Sequence, residues 1–329
     1  MERSDEELLA AMASGNADGF SAFYRRHSRP CVRDGDGSEA RFEIVPRGPF
    51  SLQAAAGFGF GGSIGAPAWD GAMRLAFAVD GFAEQAGVLL RQRDDGTVEG
   101  EVRGARDADA VRVQTARILS LDHDGEAWIA VGQRDPVIGR LQREHPGVRP
   151  VLFHSPYEAA AWSIVSARRP PNQAALVRRR LSEELGATFD VGGVAMAAFP
   201  LPERLLEARA GPGLPDGKVA RLHGIAHAAL DGRLDPALLR EMEPDAATAE
   251  LRTLRGIGPF YAALIHVRAS GVADVAAAEQ RVIEGAARAY GLEVTPDAQE
   301  FLALSERWRP FRTWAVVLLR VAAGDAARR

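Results

Sequence analysis

The sequence predicts an α+β fold, a small antiparallel β-sheet module followed by an all-helical domain, and three observations carry that prediction. Between residues 42 and 102, short β-type runs are separated by glycine and Asp-Gly turns. Beyond Pro150 the apolar spacing becomes helical and stays so to the end. Hydrophobic residues make up 47% and charged residues 26% of the 329-residue chain, an ordinary globular composition of a length suited to about two domains.

Taken in order, residues 1–30 read as one or two amphipathic helices. Leu8, Leu9 and Met12 share a face, Gly15-Asn16 punctuates, and Phe20, Phe23 and Tyr24 continue at helical spacing. The polar run DGDGSEA at 34–40 reads as a linker. Strands are expected at Phe42–Val45, Met73–Val79, Val88–Gln92 and Thr97–Val102, the last two joined by a hairpin at Asp95-Gly96. Val111–Leu119 has helical spacing. The expected division is a helical leader and linker at 1–40, a sheet module with a helix at 41–149, and an all-helical domain at 150–329.

Composition also excludes. No apolar run reaches 18 residues, and the first residues carry acids where a secretory signal carries basic ones, so a cytoplasmic protein without a membrane partner is expected. The single cysteine, Cys31, rules out a disulfide framework, a Cys-rich zinc site and a four-cysteine iron–sulfur cluster. Of the 40 basic residues, 39 are arginine and one, Lys218, is lysine; a GC-rich genome explains that bias without invoking nucleic acid. The net charge of −4 offers no global attraction to DNA, but residues 252–329 hold 11 arginines against 8 acids, so the C-terminal end is locally basic.

The most informative stretch is Ala249–Gly271, AELRTLRGIGPFYAALIHVRASG. It reads as a helix ending at Arg255, a turn at Gly256-Ile257-Gly258, and a helix from Pro259 to Ala269, with proline at a first-turn position where its missing N–H is harmless. Two glycines let the backbone turn sharply, and the exposed N–H groups of the turn and helix start suit a phosphate. The phrase LxxLxGIGPFxA resembles the helix–hairpin–helix of DNA-repair glycosylases. The segments 42–61, 155–186, 213–234 and 305–320, the last reading SERWRPFRTWAVVLLR, are similar to further parts of the same superfamily, in its 3-methyladenine DNA glycosylase II branch.

That resemblance implies an all-α helix–hairpin–helix glycosylase domain, and a monofunctional enzyme of base excision repair that flips an alkylated or damaged base out of double-stranded DNA and hydrolyses its N-glycosidic bond. Gly256, Ile257 and Gly258 would hold a backbone phosphate, and Arg168 and Arg169, standing where the family has an apolar wedge, would plug or grip the duplex. Strand-cutting relatives form a Schiff base through a lysine two residues after the second hairpin glycine; here that position is Phe260, so lyase activity is not expected. The family's electron-rich pocket aromatics correspond to Phe260, Leu264, Arg281 and Arg320, whereas Trp308, Phe311 and Trp314 recur at core spacing.

Counting without gaps from Gly256, the family's catalytic aspartate falls on Gln280, with Glu279 immediately before it. A carboxylate is needed to stabilise positive charge developing on the sugar or to orient water, and glutamine supplies no charge. Three readings stand: Glu279 supplies the carboxylate, the site is crippled and the chain only binds DNA, or Asp274 serves. His154, His223, His227 and His266 form no metal set by spacing, so no metal and no cofactor are expected beyond a monovalent cation that the resemblance allows at the hairpin. Nothing in the sequence calls for more than a monomer. Residues 4–30 separately resemble the first helices of an extracytoplasmic-function sigma factor.

Overall fold

A computed structural model describes residues 40–57 and 69–326, so the leader helices, the linker and the sigma-like stretch lie outside the described residues. The sheet module opens with β1 (Ala40–Ile44) and a short helix α1 (Leu52–Ala56), and continues through β2 (Ala72–Ala78), β3 (Gln85–Gln92) and β4 (Val98–Arg103). The strands form one sheet in the order β1-β4-β3-β2, every pair antiparallel. Each expected strand is present. Gly96, at φ 88°, closes the β3–β4 hairpin, where Asp95 accepts a hydrogen bond from the Thr97 amide at 2.9 Å. Gly100 faces Phe42 across the β1–β4 pair so closely that a Cβ there would lie 2.2 Å from the ring. Phe77, Val88, Leu90, Val98 and Val102 form the sheet's inner face and pack on α2 (Ala108–Ile118) through Val111 and Ile118.

The next two helices, α3 (Gly125–Arg134) and α4 (Pro136–Glu144), were not expected. Asp124 and Asp135 cap them through their side chains, and they cross where a Cβ on Gly139 would lie 2.4 Å from the Gly132 carbonyl. Trp128, Val131, Ile138 and Leu141 pack not on the sheet but with helices near the C-terminus. The core they share with those helices spans the expected boundary at 149/150.

The remaining chain runs α5 (Pro156–Ser166), α6 (Pro171–Leu185), α7 (Pro202–Leu205), α8 (Asp216–Leu230), α9 (Pro236–Glu241), α10 (Pro244–Arg252), α11 (Pro259–Ser270), α12 (Gln280–Tyr290), α13 (Ala298–Ser305) and α14 (Arg312–Ala326). Between α6 and α7 a small antiparallel pair, β5 (Thr188–Asp190) and β6 (Ala195–Ala197), corrects the all-helical expectation. Phe189 and Met196 of this pair, with Val191 just beyond β5, pack on Ala72 and Leu89 of the main sheet. One helical core gathers Tyr157, Ile164, Leu222, Ile225, Leu251 and Ile265. The other joins Trp128 and Ile138 to Val282, Phe301, Trp308 and Trp314. Among the described residues no helix is long and apolar enough to cross a membrane.

Candidate nucleic-acid interface

The hairpin is built from its anchor outward. α10 ends at Arg252, three residues before the expected end. Ile257 is 5% exposed, and its amide donates to the Leu254 carbonyl at 3.0 Å, so the turn pivots on a buried side chain. Gly256 takes φ 100°, and a Cβ there would come within 2.8 Å of Ile164 and 3.0 Å of Arg221; both the conformation and the packing require glycine. Gly258 has open space around it and occupies the N-cap of α11 without a side chain to bond the first-turn amides. Those amides, with the positive end of the α11 dipole behind them, are disposed to hold an anion.

From the hairpin, one face of α11 carries Phe260, Leu264 and Arg268 at four-residue spacing, a stripe of about 12 Å along the axis. Phe260 is 57% exposed at the mouth and stands edge-on to Tyr261, with ring centroids 5.3 Å apart. Leu264, one turn deeper, is half-buried against the helical core. Arg268 is buried and donates to the Val151 carbonyl at 2.6 Å. Burial first, and the Arg320 guanidinium second, push its pKa down to about 9, while Glu279 acts in the opposite sense. The Glu279–Arg320 pair thus lies within electrostatic reach of the inner end of the stripe.

Glu279 stands at the N-cap of α12 and leaves the helix amides alone, accepting instead from Arg320 Nη1 at 3.4 Å. Both side chains keep contact with solvent. Gln280, on which the ungapped count from Gly256 sets the family aspartate, is exposed and donates its amide to Glu284 one turn along its own helix, at 2.9 Å. Arg281 is exposed. Asp274 is occupied elsewhere: Arg309 and Arg312 hold it at 2.7 and 2.8 Å, fastening the start of α14 to the segment before α12. Of the carboxylates considered from sequence, Glu279 is the one that acts electrostatically on Arg268. Trp314 is buried against Trp128 and Phe311, as its spacing suggested.

Arg168 and Arg169 follow α5, which is tied to the hairpin. Tyr261 on α11 shares a hydrogen bond with Ser166 at 2.8 Å, and Ile164 abuts Gly256. Arg168 is exposed, at φ 56°, with its guanidinium bonded to no described residue. Arg169 folds inward, its Nη1 buried. His223 lies against the Ala208 carbonyl at 3.2 Å, and among the described residues no three His, Cys, Asp or Glu converge on a metal position. Three residues escaped the sequence reading as parts of this surface: Tyr261, Arg221 and Arg268. Only Arg268, eight residues after Phe260, left a signal, in its periodicity.

No family model matches the chain. It is 27% identical over 213 residues to a probable bifunctional transcriptional activator/DNA repair enzyme AlkA of Mycobacterium tuberculosis, covering 64% of this chain and 42% of that protein. A DNA-3-methyladenine glycosylase of Bacillus subtilis is 25% identical over 213 residues, covering 61% and 68% of the two chains. The chain thus spans less than half the length of the first of these relatives. The fold superposes on a 3-methyladenine DNA glycosylase of Archaeoglobus fulgidus with a TM-score of 0.67 at 20% identity, over 86% of this chain and 98% of the other. The chain thus shares the fold of a 3-methyladenine DNA glycosylase, with a glycine hairpin before α11, and is similar in sequence to two proteins named as DNA repair enzyme and DNA glycosylase.

Proposed function

We propose that this protein is a monofunctional DNA glycosylase of base excision repair, which extrudes an alkylated or otherwise damaged base from duplex DNA and hydrolyses its N-glycosidic bond. The observations that carry the reading are an uncapped glycine hairpin suited to a phosphate at the start of α11 and a solvent-accessible carboxylate, Glu279, within electrostatic reach of Arg268 on the same helix. In this reading the hairpin amides hold the backbone, Phe260 and Leu264 face the extruded base, and Glu279 stabilises the positive charge that develops on the sugar as the bond breaks. The base leaves with the bonding pair, water adds at the anomeric carbon and gives up a proton to the departing base or solvent, and an abasic site remains.

Lyase chemistry has no support. A Schiff base needs an amine that reaches the sugar, and Phe260 stands at the position of the family lysine. The chain's one lysine, Lys218, uses its ammonium on two main-chain carbonyls of α5 and α6's preceding turn, at 2.8 and 3.0 Å. Incubation with duplexes carrying methylated or deaminated bases should therefore release free base. Strand breaks should appear only after alkali, and borohydride should trap no protein–DNA adduct. Scission without alkali would contradict the monofunctional assignment. Duplex binding with no base released from any lesion would leave only a DNA-binding role.

A further inference from the structure

α5 ends in an unusual way. Its chain leaves through Arg168 at φ 56°, a left-handed conformation that a non-glycine residue keeps only where its surroundings hold it. The surroundings are specific. Lys218, in the first turn of α8, donates from Nζ to the carbonyls of Val165 at 2.8 Å and Ala167 at 3.0 Å, the main-chain oxygens on either side of the last helical residue. On the other flank Tyr261 bonds Ser166 at 2.8 Å, and below the turn the Arg169 amide closes onto the Ser166 carbonyl at 3.0 Å. Arg169 is turned back toward Gly213, where a Cβ would lie 3.7 Å from its Nη1. Of the two arginines, Arg168 is the one left exposed at the tip.

We propose that Lys218 is a positioning residue for Arg168: by tying down the last carbonyls of α5 it fixes the turn in the conformation that presents the Arg168 side chain to the duplex as the wedge beside the extruded base. The inference rests on the base-extruding reading given above. A compact ammonium with three donors suits two carbonyls converging from one helix end, and with two of those donors turned inward Lys218 is not disposed as a phosphate contact of its own. Arg169 and Arg221 stand near enough to lower its pKa, after the larger effect of burial, so three cations crowd the base of the turn and leave the fourth, Arg168, at the surface.

The test uses the full chain and a duplex with 2-aminopurine next to a stable abasic-site analogue, in which insertion of a wedge unstacks the fluorophore. Lys218→Met should lose about fivefold or more of the fluorescence rise, while affinity for undamaged duplex, carried by the hairpin, stays within about threefold. Arg168→Ala should lose as much, and the double variant no more than Arg168→Ala alone, because Lys218 acts only through that side chain. A full rise in Lys218→Met, or losses that multiply in the double variant, would overturn the proposal. If Lys218→Met does not fold, Lys218→Gln, which keeps one donor pair, should give an intermediate rise; an undiminished one would count against the idea. Wild-type unstacking without base release would defeat the glycosylase reading and keep this one; base release with no unstacking that depends on Arg168 would do the reverse.

Discussion

Two carboxylates show how differently one residue type is used. Glu279 is held by Arg320 across 3.4 Å with both partners solvent-accessible, an arrangement worth less than about 1 kcal/mol. Arg320→Gln should therefore leave the urea midpoint almost unchanged, and a large loss would mean that the pair is structural. Glu158 is the opposite case, buried between His154 at 3.3 Å and Arg178 at 2.7 Å. Burial works against its charge, but His154 and Arg178 outweigh burial and bring the pKa down to about 2. Because that value lies below the ordinary carboxylate range, the stability Glu158 contributes is present above about pH 4.5 and is lost as pH falls toward 2. Glu158→Gln should flatten the acid limb of the stability profile over that window, and an unchanged limb would place the acid sensitivity elsewhere.

The hairpin is the element whose sequence was most legible, because glycine, buried isoleucine, glycine and first-turn proline each have one local job. Gly256→Ala would force a Cβ onto Ile164 at φ 100°, and should cost about 1–2 kcal/mol in denaturation and weaken duplex binding about tenfold or more. Unchanged binding would remove the hairpin from the DNA contact. The strands were legible for the same local reasons, alternation and an Asp-Gly turn. α3 and α4 were not, since their apolar residues, Trp128, Val131, Ile138 and Leu141, have partners more than 130 residues away. The site was readable only in part. Spacing from Gly256 brought out Glu279 and Gln280, but that Gln280 turns to Glu284 while Glu279 meets Arg320 depends on where α12 begins and how α14 docks. The role of Lys218 was illegible, because its partners are main-chain oxygens, which leave no mark in side-chain patterns.

At the scale of the molecule, the sheet module and the helices are joined by buried arginines. Arg117 on α2 binds Asp80 at 2.6 Å and also donates to the carbonyls of His154 and Ala269, so one guanidinium ties the sheet's β2–β3 turn to α11. Burial raises the Asp80 pKa and Arg117 opposes that rise; Arg117→Met leaves the acid buried without its partner and should cost about 3–5 kcal/mol by urea denaturation. Because α3 and α4 complete the C-terminal core, a fragment starting at residue 150 should fail to melt cooperatively, whereas one starting at residue 40 should; a cooperative 150–329 fragment would restore the boundary read from sequence. The proposed site joins a phosphate-holding hairpin and the Glu279 carboxylate in acting on one extruded nucleotide. Its most direct test is single-turnover base release from lesion-bearing duplex by wild type and Glu279→Gln, with duplex affinity measured in parallel. Release by the wild type, a loss of about a hundredfold or more in the variant, and similar affinity for both are expected. Equal release by the two proteins would contradict the proposed site.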